Sequence, residues 1–187
     1  MLKKSYAIIG MILTFVFGVV VGSMLSDRPT SVQKPQQAVS KAAKSPENPR
    51  IAAISEQLAK DAKNAALWVE LGNLFFDDDR PKDAIAAYEM ALSLGAKNAD
   101  VLTDLGIMYR RTKQYDRALQ VFQEAKNLDP NHIQSRMNAG IVFYYDLSQV
   151  EPALAMWDEV LRLNPKTTLG NGELLQSLVE RLKTTKP

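Results

Sequence analysis

The chain contains no cysteine. Disulfides, thiolate metal centres and cysteine nucleophiles are therefore excluded. One histidine, His132, is too few for a multi-histidine metal site. No glycine-rich, phosphate-cradling loop occurs, and the acidic pairs on helical segments, such as Glu56 and Asp61, read as surface charge. The expectation is a protein that is not an enzyme and carries no cofactor or metal. An excess of charge of one sign is also lacking. The 23 Lys and Arg against 21 Asp and Glu leave a net charge of +2. That balance gives no electrostatic footprint for nucleic acid.

What is present is unevenly distributed. Residues 1–5 form a short basic tail with Lys3 and Lys4, and residues 6–25 carry no charge. As a helix rising ~1.5 Å per residue, 6–25 spans about 30 Å, the hydrocarbon thickness of a bilayer. The rival reading is a cleaved signal peptide, whose apolar stretch is about 7–15 residues long. Here the stretch is longer, Met24-Leu25 is a poor cleavage context and Val21-Gly22-Ser23 a weak one. No cysteine follows for lipid attachment. The expectation is a retained single transmembrane helix. Lys3 and Lys4 favour a cytoplasmic N-terminus, with the rest of the chain across a cell (inner) membrane, in a periplasmic or other extracytoplasmic space. Gly10, Thr14, Gly18 and Gly22 recur every four residues and fall on one helical stripe. Small residues so placed let two helices approach closely in lipid, so a homodimer is a further expectation.

Residues 26–49 contain Pro29, Pro35, Pro46 and Pro49 among Ser, Gln, Lys and Ala, with no aromatic residue. So little apolar surface cannot offset ordering entropy, and the segment is expected to be a flexible linker. Its reach as a coil is about 25–30 Å.

Self-similarity follows. Trp68, Leu71, Gly72 and Phe75 align with Leu102, Leu105, Gly106 and Tyr109, and again with Arg136, Ala139, Gly140 and Phe143. The three glycines are 34 residues apart. A second half-motif follows each: Ala84, Tyr88 and Ala91; Ala118, Phe122 and Ala125; Ala153, Trp157 and Val160. Pro130 and Pro165 close the second and third units, with Ala96 at the equivalent place in the first. Within each half the apolar spacing is helical. Asn64, Asn98 and Asn131 stand where N-caps belong, and Pro81 suits a first turn. The third unit has one extra residue, expected in its turn around residues 146–151.

This pattern resembles the tetratricopeptide repeat (TPR) family over residues 65–167, and a fixed period in this range marks a stacked helical array. The resemblance implies an all-α superhelix of helix pairs A and B, with repeats at 65–98, 99–132 and 133–167. A half-repeat helix is expected at 50–63, burying Ile51, Ile54 and Leu58. A capping helix is expected at 171–184, with Leu174 and Leu178 in the places of Ala139 and Phe143.

The resemblance also implies that the A helices line a concave groove. Its expected peptide-contacting residues are Val69, Asn73 and Phe76 from the first repeat, Thr103, Ile107, Arg110 and Arg111 from the second, and Met137, Ile141 and Tyr144 from the third. Ala66, Asp77, Asp100, Gln134 and Tyr145 occupy further groove positions. Arg110 and Arg111 would suit a ligand carboxylate, such as a partner's C-terminal tail. The chaperone-binding carboxylate clamp is matched poorly, because Val69 stands where that pattern has Lys, although Asn73 fits. The Asp77-Asp78-Asp79 run reads as a solvated turn. Anchor, linker and three repeats together resemble the TPR subunits of bacterial cytochrome c maturation assemblies. The functional expectation is thus a membrane-anchored adaptor for a protein or peptide partner. Two alternatives remain open: a self-associating structural assembly factor, and an organelle-membrane receptor with cytosolic repeats.

Overall fold

The computed structural model describes residues 48–185. The expected transmembrane span, its glycine stripe and almost all of the linker lie outside them. Among the described residues no helix is long and apolar enough to cross a membrane.

Among the described residues eight α-helices follow one another: α1 Pro49–Lys60, α2 Ala65–Asp77, α3 Pro81–Ser93, α4 Ala99–Arg111, α5 Tyr115–Leu128, α6 Ile133–Ile141, α7 Val150–Leu163 and α8 Leu175–Thr184. A π-helical turn, Val142–Asp146, extends α6. Consecutive helices pack on each other, and α2, α4 and α6 are also neighbours in space. They are the A helices of three stacked pairs; α3, α5 and α7 are the B helices.

Local chemistry sets most helix boundaries. Asn48, Asn64 and Asn98 cap α1, α2 and α4, each accepting a backbone N–H with its side chain. Pro49 and Pro81 sit at the first helical position, where a missing N–H is harmless. The cap of α6 differs from the sequence expectation. Asn131 donates its backbone N–H to Asp129 Oδ1 at 2.9 Å and so belongs to the preceding turn. His132 is the N-cap instead, its Nδ1 accepting from the Ser135 N–H at 3.2 Å. Its Nε2 lies 3.1 Å from Asp100 Oδ1. The neutral tautomer protonated at Nε2 satisfies both bonds.

Within each pair a glycine sets the distance between helices. An added Cβ on Gly72 would lie 2.5 Å from Tyr88 Cε1, one on Gly106 2.8 Å from Phe122 Cδ1, and one on Gly140 2.6 Å from Trp157 Cδ1. These rings are buried, so they cannot swing clear. Trp68 and Trp157 are fully enclosed, and their indole N–H groups donate to the carbonyls of Ala62 and Met137. α1 adds Ile51, Ile54 and Leu58 to the core that α2 and α3 form.

The A-to-B turns share one device. Asp79, Lys113 and Ser148 each adopt a positive φ of 50–60°. The following N–H closes the turn: Arg80 to Phe75 O at 2.8 Å, Gln114 to Tyr109 O at 2.8 Å, Gln149 to Phe143 O at 2.7 Å. The third ring is one residue larger. The extra residue expected in the turn is taken up earlier, inside the helix, as the π-turn.

The C-terminal cap also departs from expectation. Residues 167–174 fold back through an isolated bridge between Thr168 and Leu174, so α8 begins at Leu175 rather than at 171. Leu174 is 46% exposed, whereas Leu175 is fully buried against the Trp157 cluster with Leu178 and Val179. The simple 35-residue shift from α6 therefore places the wrong leucine inside. The outward face of α8 carries Gln176, Glu180, Arg181 and Lys183, as an end helix facing water requires.

Candidate functional site

The expected groove residues lie on α2, α4, α6 and the π-turn that extends α6, but in different states. Val69, Phe76 and Ile107 are half-buried and pack against the central core. Met137, Ile141 and Tyr144 are half-buried against the C-terminal cluster around Trp157. Each therefore serves the fold with part of its surface and leaves the rest to solvent. Tyr144 stands edge-on to Trp157, ring centroids 5.5 Å apart, and Tyr145 stands edge-on to Tyr144 at 4.7 Å. Tyr145 is 60% exposed, the most open large apolar side chain among the described residues. Asn73 is exposed, and its Oδ1 accepts the Tyr88 hydroxyl at 2.8 Å.

The two arginines expected to meet a ligand carboxylate already have carboxylates of their own. Arg110 pairs with Asp146 in the π-turn of the third repeat. Arg111 pairs with Asp79 in the turn of the first repeat at 3.1 Å, and its guanidinium lies over the Phe76 ring, 4.7 Å from the centroid. Both residues thus stitch the second repeat to its neighbours. The acidic run in the first turn is used similarly: Asp78 accepts from Asn48 Nδ2 and Asp79 from Arg111. Among the described residues no cluster of acidic and histidine side chains could hold a metal ion.

Both arginines are thus paired, whereas some carboxylates of α2 and α4 are not. Asp77 on α2 and Asp104 on α4 have no hydrogen bond or ion pair among the described residues, and Asp100 meets only His132. Asp104 is half-buried. Burial first, then the Asp100 charge, push its carboxyl up to about 6; His132 opposes them, and Asp77 adds the smallest contribution. Burial, with Asp104 and Asp77 in reach, also pushes the Tyr88 hydroxyl far above its ordinary value. Thr103, expected to touch ligand, is only 3% exposed, and its hydroxyl has no hydrogen-bond partner. Asp104 is not among the groove residues that the sequence pattern predicts. It follows Thr103 and lies four residues, one helical turn, after Asp100. That spacing from a groove position was the available signal.

Between α5, α6 and α7 lies an ionic network of a structural kind. Glu159 accepts from Lys126 at 2.9 Å and from the buried Arg136 at 2.8 Å. Burial opposes its ionisation, but those two cations outweigh it and hold the carboxyl below its ordinary value. Arg136 also donates to the carbonyls of Pro130 and His132, locking the turn that precedes α6. Beside this network lies a cavity of about 130 Å³ lined by Leu119, Phe122, Phe143 and Met156.

Residues 47–99 and 69–133 match the family model of the tetratricopeptide repeat. The chain is similar in structure to the MamA protein, with 20% identity and a TM-score of 0.62 over 71% of this chain and 71% of that one. It is similar to YrrB, described as a TPR protein with an unusual peptide-binding site, with 22% identity and a TM-score of 0.61 over 73% of this chain and 70% of that one. It is also similar to the first TPR of Spaghetti (RPAP3) bound to an HSP90 peptide, with 20% identity and a TM-score of 0.57 over 66% of this chain and 94% of that one. No curated protein matches the chain. Residues 47–133 thus carry the tetratricopeptide pattern, and the described residues fold as stacked helix pairs like those of the similar structures.

Proposed function

We propose that the chain is a membrane-held adaptor whose inner face captures an extended segment of a partner protein. The observation that carries the reading is the set of half-buried apolar side chains on that face, from Val69 and Phe76 through Ile107 to Met137, Ile141 and Tyr144. Apolar surface left partly open beside a few polar groups is the composition of a peptide site. Similar folds include one bound to a peptide and one described by its peptide-binding site. A partner's C-terminal tail remains one form such a segment can take. Its carboxylate is not the recognition element in this reading, because Arg110 and Arg111 are internally paired.

The experiment places a photo-crosslinking residue at Asn73 in the full chain and a control at Gln176 on the outer face of α8. A partner crosslinked from position 73 and not from 176, and lost on Tyr144→Ala while helicity is kept, supports capture in the groove. Equal crosslinking from both positions overturns it.

The uncharged run at 6–25 supports membrane anchoring, with the repeats in the periplasm or another extracytoplasmic space. Envelope assembly, and within it cytochrome c maturation, is the setting that this architecture resembles. Membrane fractionation followed by protease treatment from the outer side tests this. A soluble full-length chain sinks the anchor, and repeats protected inside indicate the cytosolic-receptor alternative. The Gly10, Thr14, Gly18 and Gly22 stripe supports pairing of two anchors. A crosslinked dimer in detergent that disappears on Gly18→Leu with Gly22→Leu is the expected result.

A further inference from the structure

We infer that the groove selects a partner segment bearing a lysine or arginine side chain, which seats against Asp104 while its apolar neighbours lie on Phe76, Ile107 and Ile141. The inference rests on the proposed capture of a peptide on the inner face and specifies its chemistry.

Charge complementarity is the first argument. The groove's own cations are committed: Arg110 to Asp146 and Arg111 to Asp79. Asp77 and Asp104 form no ion pair among the described residues, and His132, itself paired with Asp100, acts on Asp104 only through its charge. An entering carboxylate would break an existing pair or meet two bare acids. An entering cation meets Asp104 at a site already partly withdrawn from water, where a charged hydrogen bond is strongest.

Thr103 provides the second, independent argument. On α4 the residues Asp100, Thr103, Asp104 and Ile107 share one stripe by their three- and four-residue spacing. Thr103, a member of that stripe, is 3% exposed, and its hydroxyl has no hydrogen-bond partner. A buried hydroxyl left unpaired in the free protein is unfavourable. A donor brought to the Asp104 site would offer the partner it lacks. An ammonium or guanidinium has several N–H donors and can meet a carboxylate and a hydroxyl together.

The groups around Asp104 set how pH acts. Asp100 lies on its own helix, Asp77 on α2, Tyr88 on α3 and His132 at the start of α6. A proton on Asp104 competes with the incoming cation. Affinity for a basic segment should therefore rise as pH is raised from 5 to 7.

The test uses the full chain in detergent micelles and a phage library displaying random heptapeptides. Enrichment of Lys or Arg beside apolar residues, lost when selection is repeated on Asp104→Asn, supports the inference. Enrichment of acidic peptides, or of apolar peptides with no charge preference, overturns it and leaves peptide capture standing. No enrichment of any kind overturns both readings. For the best basic heptapeptide, fluorescence anisotropy should show about 10-fold weaker binding to Asp104→Asn. The wild-type gain in affinity between pH 5 and 7 should flatten in that variant. Thr103→Val removes the hydroxyl at nearly constant volume and should weaken binding without loss of thermal stability. An unchanged affinity for both variants would overturn the assignment.

Discussion

Arg110 of α4 is paired with Asp146 at the end of the π-helical turn, so that this ion pair joins the second and third repeats. Neither side chain is fully exposed, at 33% and 18%. The expected coupling between them is about 1 kcal/mol, the upper range for a partly screened pair. A double-mutant cycle of Arg110→Ala and Asp146→Ala, read by urea unfolding, measures it. Strict additivity of the two single effects would show that the pair is without energetic consequence.

Gly106 offers a test in which two effects have opposite signs. Alanine in a helix interior is normally favoured over glycine by about 0.5–1 kcal/mol. Here a Cβ would meet the buried Phe122 ring, Cδ1 at 2.8 Å. Overpacking should win, and Gly106→Ala should destabilise by about 1–3 kcal/mol. A second change, Phe122→Leu, should recover part of the loss. A rise in melting temperature for the single variant would contradict the close-packed contact.

Asp104 makes stability fall as pH rises. Its carboxyl is raised from 3.8 to about 6 in the folded protein, so the folded state holds the proton more tightly than the unfolded chain. The penalty is absent below about pH 4, grows between 4 and 6, and is complete above that. Asp104→Asn should therefore stabilise at pH 7 by about 1 kcal/mol, after discounting for solvent screening, and have no effect near pH 3.5. Denaturation midpoints of both proteins across this range give the answer. This dependence runs opposite to the affinity for a cation, which separates folding from binding.

His132 should behave as a helix cap. His132→Ala is expected to destabilise by about 1 kcal/mol, and His132→Asn, which keeps an acceptor, by much less. Asn131→Ala should fall well below His132→Ala, since Asn131 does not cap α6. Reversal of that order would restore the assignment first suggested by the sequence.

How much could be read in advance follows from where each feature keeps its cause. Gly72, Gly106 and Gly140 were legible because close approach to Tyr88, Phe122 and Trp157 tolerates no other residue, so the letter recurs at a fixed period. The caps Asn64 and Asn98 were legible because an N-cap acts within three residues. The Arg110 and Arg111 pairs were not, because Asp146 and Asp79 are 36 and 32 residues away in sequence. Whether Leu174 or Leu175 enters the core depends on the bridge to Thr168, which no helical periodicity reveals. Asp104 escaped because it sits one residue beside a recognised groove position, and half-burial is a property of the stacked helices rather than of α4.

The π-turn at Val142–Asp146 has a consequence for how such an array can change length. The surplus residue is absorbed before Ser148, so the third turn still closes on Gln149 and Trp157 still meets Gly140. The B helix that follows, α7, keeps its phase. A one-residue insertion is thus accommodated within a few peptide units instead of rotating α7 off its neighbour. The joint between an A helix and its turn is a place where the reading frame of the stack can slip without the stack coming apart.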